Sequence, residues 1–476
     1  TVRNPADHGD AVGEIRFANQ ADVEQAMDRA AAAQPAWNRT PADERATCLE
    51  RAADALEAQR DRFLPLLVRE AGKTLGDALA EIREAADFCR YYAAESRQLF
   101  GEPRTLTGPT GESNQFGLEG RGVFACISPW NFPLAIFTGQ VAAALAAGNA
   151  VVAKPAEATP LVGEAMIALL HGAGVPTEVL QILPIEGRLF GDVAVKHPAL
   201  AGVVFTGSTA TGQFLNRALA ARAGAILPLI AETGGLNAML VDSTALPEQV
   251  VDDALSSAFG SAGQRCSALR LLFVQADVAE RIIEMLTGAM DELVVGDPAD
   301  ATTDVGPVIS DRAAAELMQH VAQMGQTARI LRVCRLDERH ARGSFVAPHL
   351  IELQSPSQLT SEQFGPLLHV VRYRASELDA ALAAIRQSGY GLTLGVQTRL
   401  ESTWQRVFRA TSVGNTYVNR NMIGAVVGVQ PFGGAGLSGT GPKAGGPHYL
   451  TRFAVERTLT INTTATGGNT ALLRLA

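Results

Sequence analysis

The chain has 476 residues, a formal net charge of −9, 47% hydrophobic residues and 19% charged residues. This length exceeds one ordinary hydrophobic core and predicts two or three globular domains. Because lysines and arginines are scattered through an acidic chain, no basic face is available for phosphates, and we expect no nucleic-acid partner.

The length of the apolar runs argues against a membrane-spanning protein, and the spacing of the cysteines argues against a metal-binding one. The apolar run 142–152 is broken by Gly148 and Asn149 and is too short for a bilayer, so we expect no membrane span. We also expect no secretory signal peptide ahead of the first helix. The five cysteines are odd in number and widely spaced, with neither a CxxC pair nor a histidine cluster. This pattern predicts a reducing, cytoplasmic compartment and no metal site.

The first hundred residues are predicted to be helical, without a strand. Apolar residues recur there at three- and four-residue spacing, in the helices 21–33, 41–59, 62–71 and 78–100. Beyond them, short β-branched runs alternate with helices, which predicts βαβ units and a parallel sheet. The strands predicted for this first series are 123–127, 150–153, 179–183, 203–205 and 227–231. Those predicted for a second series are 271–274, 368–373, 395–398 and 416–419.

Two α/β domains account for the two series. We place their boundary just after Glu232, where Gly234 and Gly235 allow a sharp turn, and we expect a cleft there. The polar, turn-rich run 105–121 and the alternating tail 457–468 are predicted to pair as an outlying sheet that contacts another subunit. The predicted division is therefore 1–104 with 122–233, then 234–451, and 105–121 with 452–476.

Cys266 is the candidate nucleophile. A free cysteine is ordinarily a small buried hydrophobe, which is our interpretation of Cys48, Cys89 and Cys126. Small residues precede Cys266 and let a substrate approach closely, while Arg265 and nearby amides are expected to favour a thiolate.

Five other positions carry groups that suit the same chemistry. Glu232 supplies a carboxylate to match the thiol. Asn131 lies among prolines and aromatics, where it is either an oxyanion donor or an ordinary turn residue. Lys154 and Glu157 follow a strand, and ligands bind at that end of open α/β sheets. Ser208 opens a helix whose free amides, with its own hydroxyl, are expected to receive a phosphate, although the run is not GxGxxG.

Taken in order, these motifs resemble the aldehyde dehydrogenase family. They are PWNFP (129–133), KPAE (154–157), FTGST (205–209), ETGG (232–235), GQRC (263–266), EQFGP (362–366) and PFGG (431–434). The runs 417–430 and 439–449 resemble the L-glutamate γ-semialdehyde dehydrogenases, also called 1-pyrroline-5-carboxylate dehydrogenases. More narrowly, they resemble the dehydrogenase half of bifunctional proline-utilisation flavoproteins. The resemblance implies an α/β fold with a Rossmann-type NAD-binding domain, an α/β catalytic domain and a small β oligomerisation flap.

The resemblance also implies an activity: NAD-dependent oxidation of L-glutamate γ-semialdehyde to L-glutamate, the second step of proline catabolism. Cys266 would attack the aldehyde, Asn131 and the Cys266 backbone amide would stabilise the oxyanion, and Glu232 would activate water to hydrolyse the thioester. The implied partners are a small-molecule aldehyde, further copies of the chain in a dimer or higher homo-oligomer, and a proline dehydrogenase partner or fused domain.

The residues that the resemblance implies for binding form two groups. The implied cofactor site comprises Ile127, Ser128, Pro129, Trp130, Lys154, Glu157, Gly187, Gly207, Ser208, Glu362 and Phe364. The implied substrate site comprises Glu84, Phe132, Ser267, Gly424, Ala425 and Phe432. For Glu84, a solvated helix carboxylate is about as good an interpretation.

Four positions depart from the family pattern, namely Ile185, Leu236, Gly260 and Ala435. We expect them to alter affinity and packing rather than reaction class, with Ile185 crowding the adenine side of the cofactor. Three alternatives stay open: a dehydrogenase for another semialdehyde, a CoA-acylating relative and a catalytically silent homologue. Glu232 argues against the second, and the intact catalytic groups argue against the third.

Overall fold

The computed structural model describes residues 1–463. Within that range the strands are β1 (Val2–Asn4), β2 (Asp7–Gly13), β3 (Arg104–Leu106), β4 (Glu112–Gly120), β5 (Val123–Ile127), β6 (Ala150–Lys154), β7 (Leu180–Ile182), β8 (Leu200–Thr206), β9 (Leu229–Glu232), β10 (Ala238–Val241), β11 (Leu271–Gln275), β12 (Arg329–Val333), β13 (His349–Leu353), β14 (Leu367–Tyr373), β15 (Tyr390–Gly391), β16 (Thr393–Gln397), β17 (Asn415–Val418), β18 (Ala435–Gly436) and β19 (Ala454–Asn462).

The α-helices of the described residues are α1 (Gln20–Arg39), α2 (Ala42–Ala58), α3 (Arg60–Ala71), α4 (Leu75–Leu99), α5 (Ala135–Ala146), α6 (Pro160–Gly172), α7 (Gly187–Ala194), α8 (Thr209–Ala221), α9 (Pro247–Phe259), α10 (Ala276–Asp291), α11 (Asp311–Thr327), α12 (Leu378–Gln387) and α13 (Glu401–Ala410). The four predicted N-terminal helices are confirmed as α1 to α4. The prediction of no strand in that region is wrong, because β1 and β2 pair as an antiparallel ribbon. β2 is polar and has no apolar alternation, so the ribbon depends on pairing that local sequence does not signal.

A five-stranded parallel sheet has the order β7-β6-β5-β8-β9, which confirms the first predicted series. β5 is apolar and buried through Cys126, as expected of a strand covered on both faces. The chain winds to one side of β5 through β6 and β7, and to the other through β8 and β9. Ligands bind where such a sheet changes direction, outside the carboxyl ends of its strands. That point lies after Ile127 and Thr206.

A seven-stranded sheet has the order β12-β13-β14-β11-β10-β16-β17, with only β12 antiparallel to its neighbour. It confirms the second predicted series and adds β10, β12 and β13, which the sequence did not reveal. The chain leaves the five-stranded sheet at Glu232 and enters the seven-stranded one at Ala238. Together the two sheets confirm the α/β class.

An outlying three-stranded sheet has the order β19-β4-β3. β19 pairs with β4 in continuous antiparallel register, from Ala454 opposite Gly120 to Asn462 opposite Glu112. The predicted pairing of these two stretches is thus confirmed, whereas contact with another subunit stays a prediction. Residues 464–476 of the predicted flap lie outside the described residues.

The described helices include none with the length and apolarity that a bilayer span requires. Residues 1–463 likewise contain no group of three or more His, Cys, Asp or Glu side chains arranged to hold a metal ion. All five cysteines are free thiols.

Candidate active site

Cys266 lies where two cavities meet. The larger cavity has a volume of about 690 Å³ and the smaller about 100 Å³. Cys266 lines both of them, together with Thr206 and Thr233. The thiol is therefore open to ligands from two sides.

The backbone just before Cys266 is strained. Ser261 and Ala262 lie in the left-handed region, with φ of 56° and 53°, and Gly263 follows with φ of 68°. A Cβ at Gly263 would lie 2.2 Å from the carbonyl oxygen of Gly365, so glycine is required there. Left-handed non-glycine residues cost on the order of 1–3 kcal/mol each and persist only when their surroundings enforce them.

Two buried side chains hold this nucleophile loop, which we define as residues 260–266. Arg270, fully buried, donates to the carbonyls of Gly263 at 2.8 Å and Arg265 at 3.1 Å. Asn237 donates to the carbonyl of Cys266 at 2.6 Å. Neither residue was identified from the sequence, although an arginine in the apolar run before β11 was an available signal.

Asp77 holds the same loop from α4. Its carboxylate accepts hydrogen bonds from the Ser261 hydroxyl at 2.9 Å and from Arg265 at 2.6 Å. Burial raises the pKa of Asp77, but the charges of Arg265 and Lys73 outweigh burial and hold it below its usual value. A carboxylate that stays ionised thus links α4 to the nucleophile loop.

Burial raises the pKa of the Cys266 thiol to about 12, and the nearby carboxylates of Glu362 and Glu232 add to this effect. Arg265 and the backbone amide of Ser267 lower the pKa as expected, but burial outweighs them. The expectation of a favoured thiolate is therefore wrong for this state of the protein. A proton acceptor is needed to activate the sulphur.

Asn131 lies just beyond β5 and lines the larger cavity beside Cys266. Its side-chain amide donates to the carbonyl of Gln264 at 3.0 Å, which uses one of its two hydrogens. Within residues 1–463 the backbone amide of Cys266 donates to no acceptor. These are two donors that suit an oxyanion on an atom bonded to the sulphur.

Glu232 is the last residue of β9 and lines the smaller cavity. One carboxylate oxygen accepts a hydrogen bond from the Gly434 amide at 3.0 Å, and the other has no hydrogen-bond partner within the described residues. A Cβ at Gly433 or Gly439 would lie 2.6 Å or 2.8 Å from the carboxylate oxygens. Burial raises the pKa of Glu232 to about 8, which is well suited to a general base at neutral pH.

The larger cavity brings together about half of the residues expected to bind a cofactor. The expected residues that line it are Pro129, Trp130, Gly207, Ser208, Glu362 and Phe364. The rings of Trp130 and Phe364 meet edge to face at 5.5 Å, and Glu362 pairs with Arg270 at 3.3 Å. Those outside the lining are Ile127, Ser128, Lys154, Glu157 and Gly187.

Lys154, Glu157 and Gly187 form a separate cluster at the carboxyl end of β6. The Lys154 ammonium lies 3.4 Å from Glu157, whose carboxylate also accepts from the Gly187 amide at 2.8 Å. These three residues therefore lie together, although their cluster does not line the cavity.

Two hydroxyls have roles other than the expected ones. Ser128 donates to the side chain of Gln140 at 2.9 Å, so its hydroxyl is not free. Ser208 caps α8 by accepting from the Thr211 amide at 3.3 Å. The backbone amides of Thr209 and Ala210, which donate to no acceptor within residues 1–463, line the cavity instead. These amides suit an anion at this helix start better than the Ser208 hydroxyl, which already serves as the cap.

The smaller cavity brings together five of the six residues expected to contact the substrate. They are Glu84, Phe132, Ser267, Ala425 and Phe432. Gly424 is exposed and does not line this cavity. Burial raises the pKa of Glu84 to about 7, with a further contribution from Glu81, so Glu84 is not an ordinary solvated carboxylate.

Phe132 is fixed by charges that the sequence did not reveal. The Lys73 ammonium lies 4.1 Å from the ring centroid and pairs with Glu81 at 2.9 Å. Glu81 also accepts hydrogen bonds from the amides of Leu134 and Ala135, where α5 begins. This buried ion pair therefore fixes the segment that carries Asn131 and Phe132.

The four departures from the family pattern leave the catalytic groups in place. Ile185 is 1% exposed and packs into the core, and its crowding of the cofactor stays a prediction. Leu236 is also buried, and Ala435 is exposed. A Cβ at Gly260 would lie 3.3 Å from Ile423, so a larger residue there would press on the loop next to the smaller cavity.

Comparisons with known proteins extend over nearly all of the described chain. The aldehyde dehydrogenase family pattern matches residues 1–459. The chain is 52% identical over 465 residues to the bifunctional protein PutA of Klebsiella aerogenes, covering 96% of this chain and 34% of that protein. It is 38% identical to the 1-pyrroline-5-carboxylate dehydrogenase of Geobacillus kaustophilus, covering 94% of this chain and 87% of that protein.

The fold is likewise similar to a solved structure. A crystal structure of a mutant proline utilization A from Bradyrhizobium japonicum has a TM-score of 0.93 at 59% identity, covering 95% of this chain and 46% of that one. The chain therefore spans about a third of the length of the PutA protein and somewhat under half of the crystallised chain.

Proposed function

The chain belongs to the aldehyde dehydrogenase family, and from this premise we propose that it oxidises L-glutamate γ-semialdehyde to L-glutamate with NAD as the electron acceptor. The observation that carries the proposal is the position of Cys266 between two cavities. One contains Glu232 and the residues expected at the substrate, and the other contains residues expected at the cofactor. The likeness to 1-pyrroline-5-carboxylate dehydrogenases supports this choice of substrate.

The residues of the larger cavity fit a nicotinamide cofactor. Its volume of about 690 Å³ suits a ligand of that size class. The free amides of Thr209 and Ala210 suit a pyrophosphate, and Trp130 and Phe364 offer aromatic surface. When bound, such a cofactor takes up the hydride that leaves the oxidised carbon. The choice of NAD over NADP rests on Glu157, since a carboxylate suits a ribose diol and repels a 2′-phosphate.

Cys266 and its neighbours carry out the first half of the proposed reaction. The Cys266 thiol gives its proton to solvent water, and the sulphur attacks the aldehyde carbon, forming a thiohemiacetal whose oxygen carries the negative charge. The Asn131 side chain and the Cys266 backbone amide donate to the oxygen as its negative charge grows. Oxidation then leaves a thioester on Cys266.

Glu232 serves the second half of the proposed reaction. Its unpartnered oxygen accepts a proton from water, which attacks the thioester and releases the acid. A pKa of about 8 makes this carboxylate a stronger base than an exposed glutamate. The glycines at 433 and 439 leave the carboxylate room, because a Cβ at either position would press on it.

The wider assignments belong to the same proposal. We divide the chain into an NAD-binding domain (1–104 with 122–233), a catalytic domain (234–451) and an oligomerisation flap (105–121 with 452–476). We also propose that the chain forms a dimer or higher homo-oligomer and lies in the cytoplasm. We further propose a proline dehydrogenase as a partner or fused domain. The likeness to a bifunctional protein supports the proline dehydrogenase partner or fused domain, and the free thiols support a reducing compartment.

NADH formation tests the proposal directly. The 476-residue chain is assayed with L-glutamate γ-semialdehyde, succinate semialdehyde and hexanal, each with NAD and then with NADP. We expect the highest kcat/KM for the amino-acid aldehyde with NAD. Equal kcat/KM for the three aldehydes would contradict the substrate assignment while leaving aldehyde oxidation intact. No NADH from any of them would contradict the activity itself.

A further inference from the structure

Two arginines bind consecutive carbonyls beside the smaller cavity. Arg265 donates to the carbonyl oxygen of Ile423 at 3.3 Å. Arg420 donates to that of Gly424 at 3.0 Å, and also to that of Asn421 at 3.1 Å. Three carbonyls of the loop 420–425 therefore face guanidinium groups.

The orientation of these carbonyls fixes the orientation of two amides. In a trans peptide group the N–H points opposite to the C=O. The carbonyl of Ile423 shares its peptide group with the amide of Gly424, and the carbonyl of Gly424 shares its peptide group with the amide of Ala425. The two amides therefore point away from the two arginines.

Both amides are free to bind a ligand. Within residues 1–463 neither the Gly424 nor the Ala425 amide donates to an acceptor. Ala425 lines the smaller cavity together with Cys266. Adjacent unpaired N–H donors suit the two oxygens of a carboxylate.

We propose that Arg265 and Arg420 are positioning residues, which aim the amides of Gly424 and Ala425 at the carboxylate of the aldehyde substrate. The inference rests on the proposed function, because it concerns a carboxylated aldehyde at the same site. Arg265 lines the smaller cavity and Arg420 does not, but each acts on the amides through the carbonyl that it binds.

The two arginines are anchored differently. Arg420 lies over the ring of Tyr417 at 5.0 Å, and within the described residues it has no carboxylate partner at ion-pair distance. Arg265 is paired with Asp77 and is the residue that precedes Cys266. Arg265 therefore links the loop 420–425 to Cys266. This link fixes the distance between the amides that would bind the substrate's carboxylate and the sulphur that would attack its aldehyde.

Arg420 is the better residue to change, because it lies outside the nucleophile loop. Lysine keeps the charge of Arg420 but cannot reproduce a planar fork on two carbonyls. For Arg420→Lys we expect the KM for L-glutamate γ-semialdehyde to rise about tenfold, the effect of losing one charge-assisted hydrogen bond. The kcat should change much less. The preference for this aldehyde over hexanal, as a ratio of kcat/KM values, should fall by a similar factor.

Arg386→Lys is the matched control. Arg386 is exposed and donates to the carbonyl of Ala410 at 3.0 Å, which is the same kind of bond away from the cavities. Its kinetic constants should match those of the wild type. The dissociation constant of L-glutamate, measured by calorimetry, provides a second readout and should rise for Arg420→Lys but not for Arg386→Lys.

Each other outcome overturns the inference. Wild-type kinetics in Arg420→Lys, with a raised KM in Arg420→Met, would mean that charge rather than orientation matters. An equal loss for hexanal and the amino-acid aldehyde would mean a general structural role. A wild-type enzyme without any preference for the carboxylated aldehyde would overturn the proposed substrate, and the inference with it. The wild-type assay thus distinguishes failure of the positioning role from failure of the proposed substrate.

Discussion

The guanidinium of Arg265 lies 2.6 Å from the carboxylate of Asp77, and the same carboxylate accepts a hydrogen bond from the Ser261 hydroxyl. One side chain in the first turn of α4 thereby holds the nucleophile loop at two points, Ser261 and Arg265. Both partners of the ion pair are largely buried, with side-chain exposures of 13% and 16%. The helix and the nucleophile loop are therefore mechanically joined.

Asp77→Asn should destabilise the protein and slow the reaction. It leaves Arg265 buried without its counter-charge, which we expect to lower the free energy of unfolding by roughly 3 kcal/mol. Urea unfolding measures the loss, and NADH formation measures kcat. The control is Asp54→Asn, which breaks an exposed pair with Arg90 and should cost less than about 0.5 kcal/mol. Equal losses in the two variants would contradict a special role for Asp77.

Cys266→Ala should bind NAD and form no NADH. The substitution removes the sulphur without touching the larger cavity's aromatic or helix-terminal groups. Calorimetric titration with NAD checks binding, and absorbance checks turnover. Cys48→Ala, at a half-buried thiol remote from both cavities, should keep full activity. Turnover by Cys266→Ala would refute the nucleophile assignment.

Asn131→Ala should remain folded and lose about two orders of magnitude in kcat, the typical cost of removing one oxyanion donor. The Asn131 amide also donates to the carbonyl of Gln264, so thermal unfolding must be measured beside the kinetics. A Tm close to the wild-type value together with the loss of kcat would identify a catalytic effect. A kcat within a factor of about two of the wild type would exclude Asn131 from the oxyanion site.

Hydrolysis of the thioester should become faster as pH rises through about 8. Only the ionised carboxylate of Glu232 can accept the proton of water, and burial raises its pKa to about 8. The steady-state kcat of the wild type should therefore climb across this range and level off above it. Glu232→Gln should give a burst of NADH followed by slow turnover without that rise. An unchanged pH profile in Glu232→Gln would exclude Glu232 as the base.

The same pKa has a consequence for stability. The folded state holds the Glu232 proton up to about pH 8, whereas a glutamate in the unfolded chain, whose pKa is ordinarily 4.5, has already lost it. The contribution of this group to the free energy of unfolding is thus fully present below the unfolded pKa and declines as pH rises through the folded pKa. Relative to the wild type, Glu232→Gln should gain stability between about pH 5 and pH 9 in urea unfolding. A constant difference between the two proteins would contradict the raised pKa.

The sequence predicted the strands of the five-stranded sheet well because each is a short apolar run between helices. Parallel strands are buried on both faces, so their composition alone marks them. β2 was missed because Asp7–Gly13 is polar and is held by pairing with β1. β10 was missed because its four residues follow closely on the two glycines that we interpreted as a boundary.

The residues of the site were more predictable than the contacts that position them. Local motifs pointed to Cys266 and Glu232, and the structure places both at the smaller cavity. Asp77 lies nearly two hundred positions away from the loop that it holds, and no local pattern joins them. The pKa of Cys266 was also out of reach, because it depends on burial that only the folded chain creates.

The meeting of the two cavities at Cys266 has a pharmacological consequence. A compound that enters through the smaller cavity can reach the sulphur without displacing anything from the larger one. On the proposed function, a covalent inhibitor shaped for the smaller cavity would therefore not compete with the nicotinamide cofactor. It could also draw selectivity from the residues of that cavity, such as Glu84 and Phe432, rather than from a cofactor site of the kind that other dehydrogenases share.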